Sequence, residues 1–142
     1  MNLILSNSAW KKIFFCLMFG LGCMPAFAQS SYYSCSTREY CDWDNTTEKF
    51  VDCVPKDESS LFKLNADQTL FEHTTADLKS AYYVSKHEHD AVNNVEVYDV
   101  TSDVGNKYTF IIDTVYSEVR IVGTSGDAIY MLRFHIKSTW TD

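Results

Sequence analysis

The chain has 142 residues and carries 12 Lys+Arg against 19 Asp+Glu, a formal net charge of −7. The length suits one domain. A charge of that sign repels phosphate backbones, which excludes nucleic acid as an expected partner.

The N-terminus has the pattern of an export signal. Lys11 and Lys12 precede an apolar run, Ile13 to Met24, that is too short to span a bilayer comfortably. Pro25 breaks the run, and Ala26-Phe27-Ala28 is a small-x-small cleavage site. The expected signal peptide is residues 1–28, and the expected destination of the rest is the periplasm or the cell exterior. One alternative is lipidation of Cys23 within Leu21-Gly22-Cys23, which would anchor the protein; Gly20 stands where that motif usually has leucine. The other is a retained anchor helix, which Gly20, Gly22 and Pro25 weaken. Removing residues 1–28 takes away two lysines and no carboxylate. The remainder then carries 10 Lys+Arg against 19 Asp+Glu, or −9. No later apolar run is long enough for a transmembrane helix.

Cys35, Cys41 and Cys53 remain after cleavage. An oxidising compartment favours one disulfide among them and leaves one thiol over, able to cross-link two chains. Three pairings are open. The cysteine spacings do not match common zinc knuckles.

Residues 29–58 form a Cys-containing segment. Gln29 to Ser36 is polar and is expected as a loose start. Tyr40 to Val54 reads as a hairpin turning at Asp44-Asn45-Thr46-Thr47, with Trp43 and Phe50 as its apolar weight. Pro55 to Ser59 reads as a linker. Residues 59–142 then form an antiparallel β-domain.

Within that domain, Leu61 to Thr74 is a hairpin with Asn65 to Gln68 as its turn. Closing it there pairs Leu64 with Thr69 and Phe62 with Phe71. Phe62, Leu64, Phe71 and His73 share one face, and Lys63 and Glu72 the other. A strand follows at Ser80 to Lys86, and His87 to Asn94 is the next connection. Val95 to Lys137 is a meander of alternating β-branched or aromatic and polar residues. A three-residue loop at Val104 to Asn106 sets Phe110 beside Val100 and Ile112 beside Tyr98. A two-residue Ser125-Gly126 loop sets Ile121 beside Tyr130 and Val119 beside Leu132. The inward set is then Tyr98, Val100, Tyr108, Phe110, Ile112, Val119, Ile121, Tyr130, Leu132, Phe134 and Ile136. Arg120, Arg133, His135 and Lys137 point outward.

The fold class is therefore all-β: an antiparallel meander closing into a barrel or sandwich of about seven strands. The Phe62–Phe71 stretch, F-x-L-N-x-D-x-T-x-F, resembles the first hairpin of lipocalin-like domains. The resemblance is short and carries over no functional residue.

Chemistry is sparse. In an extended segment His87 and His89 project to the same side, so the pair is a candidate transition-metal site needing a third ligand, His73 or Asp90. Asp42 to Cys53 begins like a calcium loop, but Thr47 stands where that loop needs glycine and Cys53 where it needs glutamate. Asn45-Thr46-Thr47 is a glycosylation sequon, relevant only in a eukaryotic secretory pathway. No carboxylate pair and no serine elbow stands out. A leftover thiol beside His73 or His135 is the one arrangement with catalytic chemistry.

Neither an enzyme nor a cofactor is expected. The leading expectation is an exported, non-catalytic domain that binds a macromolecular partner at the envelope or outside the cell. The alternatives are a lipocalin-like carrier of a small apolar ligand, based on the Tyr- and Phe-rich inward set, and a metal-binding protein using His87 and His89.

Overall fold

The computed structural model describes residues 28–142; the expected signal peptide and the alternative lipidation site at Cys23 lie outside the described residues. Eight strands run in order: β1 Ser31–Asp44, β2 Lys49–Leu64, β3 Leu70–Thr74, β4 Lys79–Asp90, β5 Val95–Ser102, β6 Lys107–Asp113, β7 Glu118–Ser125 and β8 Ala128–Thr141. Each pairs antiparallel with the next, and β1 closes on β8, so the fold is an up-and-down barrel. No cis peptide occurs among the described residues.

The all-β expectation holds, with eight strands instead of about seven. The extra one comes from the N-terminus. Ser31 to Ser36, expected as a loose start, is the beginning of β1 and pairs with both β2 and β8. Tyr33 and Cys35 alternate inward there, and a bulge at Ser36 then hands the inward face to Arg38 and Tyr40. Pro55 to Ser59, expected as a linker, is continuous strand within β2. Proline is tolerated in it because β3 reaches only Leu61 to Leu64 of β2, so the other edge of Lys49 to Ser60 has no ladder with β3. His87 to Asp90, expected as loop, is the end of β4.

The inward faces are as expected, and the registers are not. Phe62 pairs with His73 and Leu64 with Phe71, not Phe62 with Phe71. Asn65 causes the difference: its side-chain carbonyl accepts from the N–H groups of Thr69 and Leu70 and holds a longer loop open. Tyr98 pairs with Phe110 and Val100 with Tyr108, because the loop is Asp103 to Gly105, with Gly105 at φ 91°. Ile121 pairs with Leu132 and Val119 with Phe134, because the last turn is Gly126-Asp127, with Gly126 at φ 60°. Each shift is two residues, which leaves every side chain on its predicted face.

The core fills one half of the barrel. Phe62, Phe71, Phe110 and Phe134 are fully buried, with Tyr98, Ile112 and Val119 around them. Their rings meet edge-on or tilted, Phe62 with Phe134 at 4.9 Å and Phe71 with Phe110 at 5.1 Å between centroids. The outer face carries a chain of ion pairs across four staves. Arg120 contacts Asp113 and Glu118, and Arg133 contacts Glu39, which also bonds His135 at 2.7 Å. Arg133 holds the Glu39 carboxyl below the usual range. Apolar inside and charged outside is the reverse of a membrane-spanning barrel.

Candidate functional site

The barrel has two ends, and chemistry-bearing side chains gather inside both. At one end lie the β1–β2, β3–β4, β5–β6 and β7–β8 turns. There the core stops short and leaves a cup of about 350 Å³. Ile121, Leu132 and Phe134 line its apolar depth, Tyr82, Tyr108 and Tyr130 its walls, and Arg38, Lys56, Glu58 and Asp77 its rim.

Strand alternation puts these residues there. Tyr82, Tyr108 and Tyr130 occupy inward positions on β4, β6 and β8. Opposite Tyr108 and Tyr130, β7 carries Gly123, where a Cβ would come within 2.8 Å of the Tyr108 ring and 2.9 Å of the Tyr130 hydroxyl. The missing side chain makes room for the two rings. Tyr82 packs edge-on to Tyr108 at 5.8 Å, and Tyr40 stacks on Tyr130 at 5.5 Å. Burial pushes the phenols of Tyr82 and Tyr130 up, so they stay protonated as donors.

His73 on β3 joins the same wall and is 6% exposed. Its ring lies flat on Phe62 at 4.2 Å, with the edge of Phe134 at 5.3 Å. Its Nε2 has no hydrogen-bond partner. Burial, helped by the Arg38 charge, pushes its pKa down to about 4, so the ring is a neutral imidazole at physiological pH. At the rim, Glu58 faces two cations, Arg38 at 3.5 Å and Lys56 at 3.8 Å.

The opposite end holds the expected metal pair. A bulge at Ser85 in β4 shifts the inward face from Tyr82 and Val84 to His87 and His89. Glu96 on β5 sits opposite His89, and its two carboxylate oxygens lie 2.7 Å from His87 Nε2 and His89 Nδ1. His87 also stacks on Tyr98 at 4.3 Å. Burial pushes the Glu96 carboxyl up, but the two imidazole hydrogen bonds outweigh it and the net shift is downward. Neither expected third ligand reaches the pair. His73 belongs to the cup, and Asp90 caps its own turn through the N–H groups of Val92 and Asn93. Among the described residues, no group of three or more His, Cys, Asp or Glu is spaced to hold a metal ion.

The cysteines divide cleanly. Cys41 and Cys53 form the disulfide, across the β1–β2 hairpin where Asp52 adopts a positive φ. Cys35 is free and 2% exposed, packed in the core. It is not placed to cross-link chains. Burial alone pushes its thiol up to about 12, with no histidine or cation lowering it. His135 lies on the outer face with Glu39, away from Cys35. The turn residues of the calcium-like stretch cap locally, Asp44 accepting from Thr46 N–H and the Thr47 hydroxyl. A disulfide fits an oxidising compartment, and among the described residues no helix is long and apolar enough to cross a membrane.

Three features of these sites do not follow from strand alternation: Glu96 as the partner of both histidines, Gly123 as the gap beneath the tyrosines, and the Arg38–Glu58–Lys56 rim. Only the last left a trace, since Lys56, Glu58, Ser60, Phe62 and Leu64 are in phase. A larger groove of about 600 Å³ runs along the outer face between Asp99, Thr109 and Val122, open to solvent.

Compared with known proteins, the chain has no significant match to a family model, a curated protein or a solved structure.

Proposed function

We propose that this protein is an exported, non-catalytic carrier that holds one small molecule in the tyrosine-lined cup. An eight-stranded barrel is just wide enough either to fill with side chains or to hold one small ligand. Here the filling is uneven, and the hollow half supports the second use. The observation that carries the reading is the cup itself. Its volume of about 350 Å³ falls in the range of small-molecule sites, and a few polar groups converge over an apolar floor. The smaller weight goes to a macromolecular partner, because Arg120 and Arg133 on the outer face are already paired with Asp113, Glu118 and Glu39.

The test is a fluorescence titration with 1-aminoanthracene, a planar apolar probe. The expected result is saturable binding at one probe per chain. Leu132→Trp, which fills the floor of the cup, should abolish it while the protein still melts cooperatively. Absence of saturable binding by the wild type, or undiminished binding by a folded L132W, rejects the carrier reading.

A further inference from the structure

The strands differ in length, and two of them outrun a neighbour. The β2–β3 ladder covers only Leu61 to Leu64 of β2. The β7–β8 ladder ends at His135, with one further bond from the Ile136 N–H to the Ser117 carbonyl. Lys49 to Ser60 and Lys137 to Thr141 therefore each present an open edge. An open edge is a template for another strand, and proteins blunt the edges they keep free. The β2 edge is blunted. Pro55 has no N–H to offer, Asp52 takes a φ of 52°, and Lys56, Asp57 and Glu58 place charge along it. On β8, beyond a bulge at Lys137, Thr139-Trp140-Thr141 carries no proline, no charge and no positive φ, and all three residues are exposed. We infer that this edge of β8 pairs with the same edge of a second copy of the chain, antiparallel about Trp140.

Three observations converge on that partner. The first is the backbone. Asp142 donates its N–H to the Ser30 carbonyl, in line with the β1–β8 ladder. By alternation Trp140 also turns its N–H and C=O toward β1, and Thr139 and Thr141 turn theirs to the open side. In the two-fold pairing Thr139 meets Thr141 of the second copy, and the two exchange both backbone bonds. Trp140 then stands opposite Trp140 of the second copy in the non-hydrogen-bonded position, where side chains approach most closely. The second is the side chains. The Trp140 ring lies parallel to Tyr32, with centroids 5.1 Å apart and planes within 3°, and the Lys63 ammonium sits 5.4 Å from the Tyr32 centroid. The two-fold doubles this ladder, with the tryptophans at its centre and a lysine at each end. A foreign strand would meet the same backbone groups; a second copy also brings the matching rings and closes the contact on itself. The third is room. The β6–β7 turn stands off from the edge, leaving hollows of about 290 and 200 Å³ bounded by Thr114 on one side and Thr139 on the other. Trp140, 46% exposed, and Tyr116 of that turn, 75% exposed, supply apolar area for the contact. The edge lies at the end of the barrel opposite the cup, so pairing leaves the cup of each copy open.

The experiment is sedimentation of the purified protein over a micromolar to millimolar concentration series, with residue-resolved amide exchange by NMR. The expected result is reversible monomer–dimer association, weaker than that of a standard-size interface because the paired edge is short. Exchange at Thr139 and Thr141 should slow as concentration rises, while exchange along Lys49 to Ser60 stays the same. Thr139→Pro removes an outward N–H, and Trp140→Lys sets like charges opposite each other on the axis; each should weaken association about tenfold or more. Mixing W140K with Trp140→Glu sets opposite charges there and should restore association. Sedimentation as a monomer at every concentration overturns the inference. Association undiminished in W140K, a mixture that associates no better than its components, or exchange at Thr139 and Thr141 that ignores concentration does the same. W140K and W140E change an exposed edge position, so they decide the matter even where T139P fails to fold.

Discussion

The imidazole of His73 lies parallel to the ring of Phe62, with centroids 4.2 Å apart and planes within 3°. The two are cross-strand partners on β2 and β3. The buried position tolerates a neutral imidazole and opposes a charged one, because protonation would place a cation in an apolar wall with the Arg38 charge nearby.

The consequence is an acid-sensitive fold. The unfolded chain protonates His73 near the ordinary value of 6.5, whereas the folded chain resists until about 4. Between those values the unfolded state binds more protons, so stability falls as pH drops from 6.5 toward 4, by up to about 3 kcal/mol from this group. Urea denaturation of wild type and H73F across pH 4–7 should show the variant gaining on the wild type as the solution is acidified. The carboxyls of Glu39 and Glu96, also shifted down, lose their contribution at lower pH in both proteins and cancel in the comparison.

Cys35 should be silent in the native state. It is 2% exposed, and burial pushes its thiol up to about 12. Iodoacetamide at pH 8 should leave Cys35 unlabelled in the folded, oxidised protein and label it in denaturant. Labelling should therefore follow unfolding, not thiol chemistry. Rapid stoichiometric labelling under native conditions would contradict this placement.

Gly123→Ala should separate stability from binding. The added Cβ meets the Tyr108 ring at 2.8 Å and the Tyr130 hydroxyl at 2.9 Å, so both side chains must move toward the hollow. We expect a stability loss of about 1–3 kcal/mol from overpacking. Binding of 1-aminoanthracene should fall at least tenfold. A variant that loses stability but binds normally would place the probe elsewhere.

Reduction of Cys41–Cys53, or replacement of both by serine, should weaken the barrel without dissolving it. The bridge closes a short loop, with a sequence separation of 12, and such a constraint is worth roughly 3 kcal/mol in the chain-entropy account. β1 keeps its ladders with β2 and β8 on either side. The expected outcome is a lower urea midpoint with an unchanged β signature by circular dichroism, and faster amide exchange concentrated near the β1–β2 turn.

The sequence by itself determined which face each side chain takes. Alternation has a period of two, so burial tells Phe62 from Lys63 and Phe134 from Arg133 without any knowledge of neighbours. It cannot tell one register from another two residues away, because an even slip keeps every residue on its face. That is why the pairings Tyr98–Phe110, Ile121–Leu132 and Phe62–His73 were decided by Gly105, Gly126 and the Asn65 side chain respectively, and by the need of eight staves to close a ring. Bulges escape the pattern altogether. Ser36 and Ser85 each reverse the phase of a strand, bringing Arg38 into the cup and His87 and His89 into the opposite end. Pro55 to Ser59 has the composition of a linker because its inward residues, Lys56 and Glu58, line the open mouth of the cup instead of a packed core. Only the tertiary structure decided that the interior is half filled and half hollow. A hollow depends on which side chains meet across the barrel, as Gly123 meets Tyr108 and Tyr130, and local alternation carries no record of that meeting.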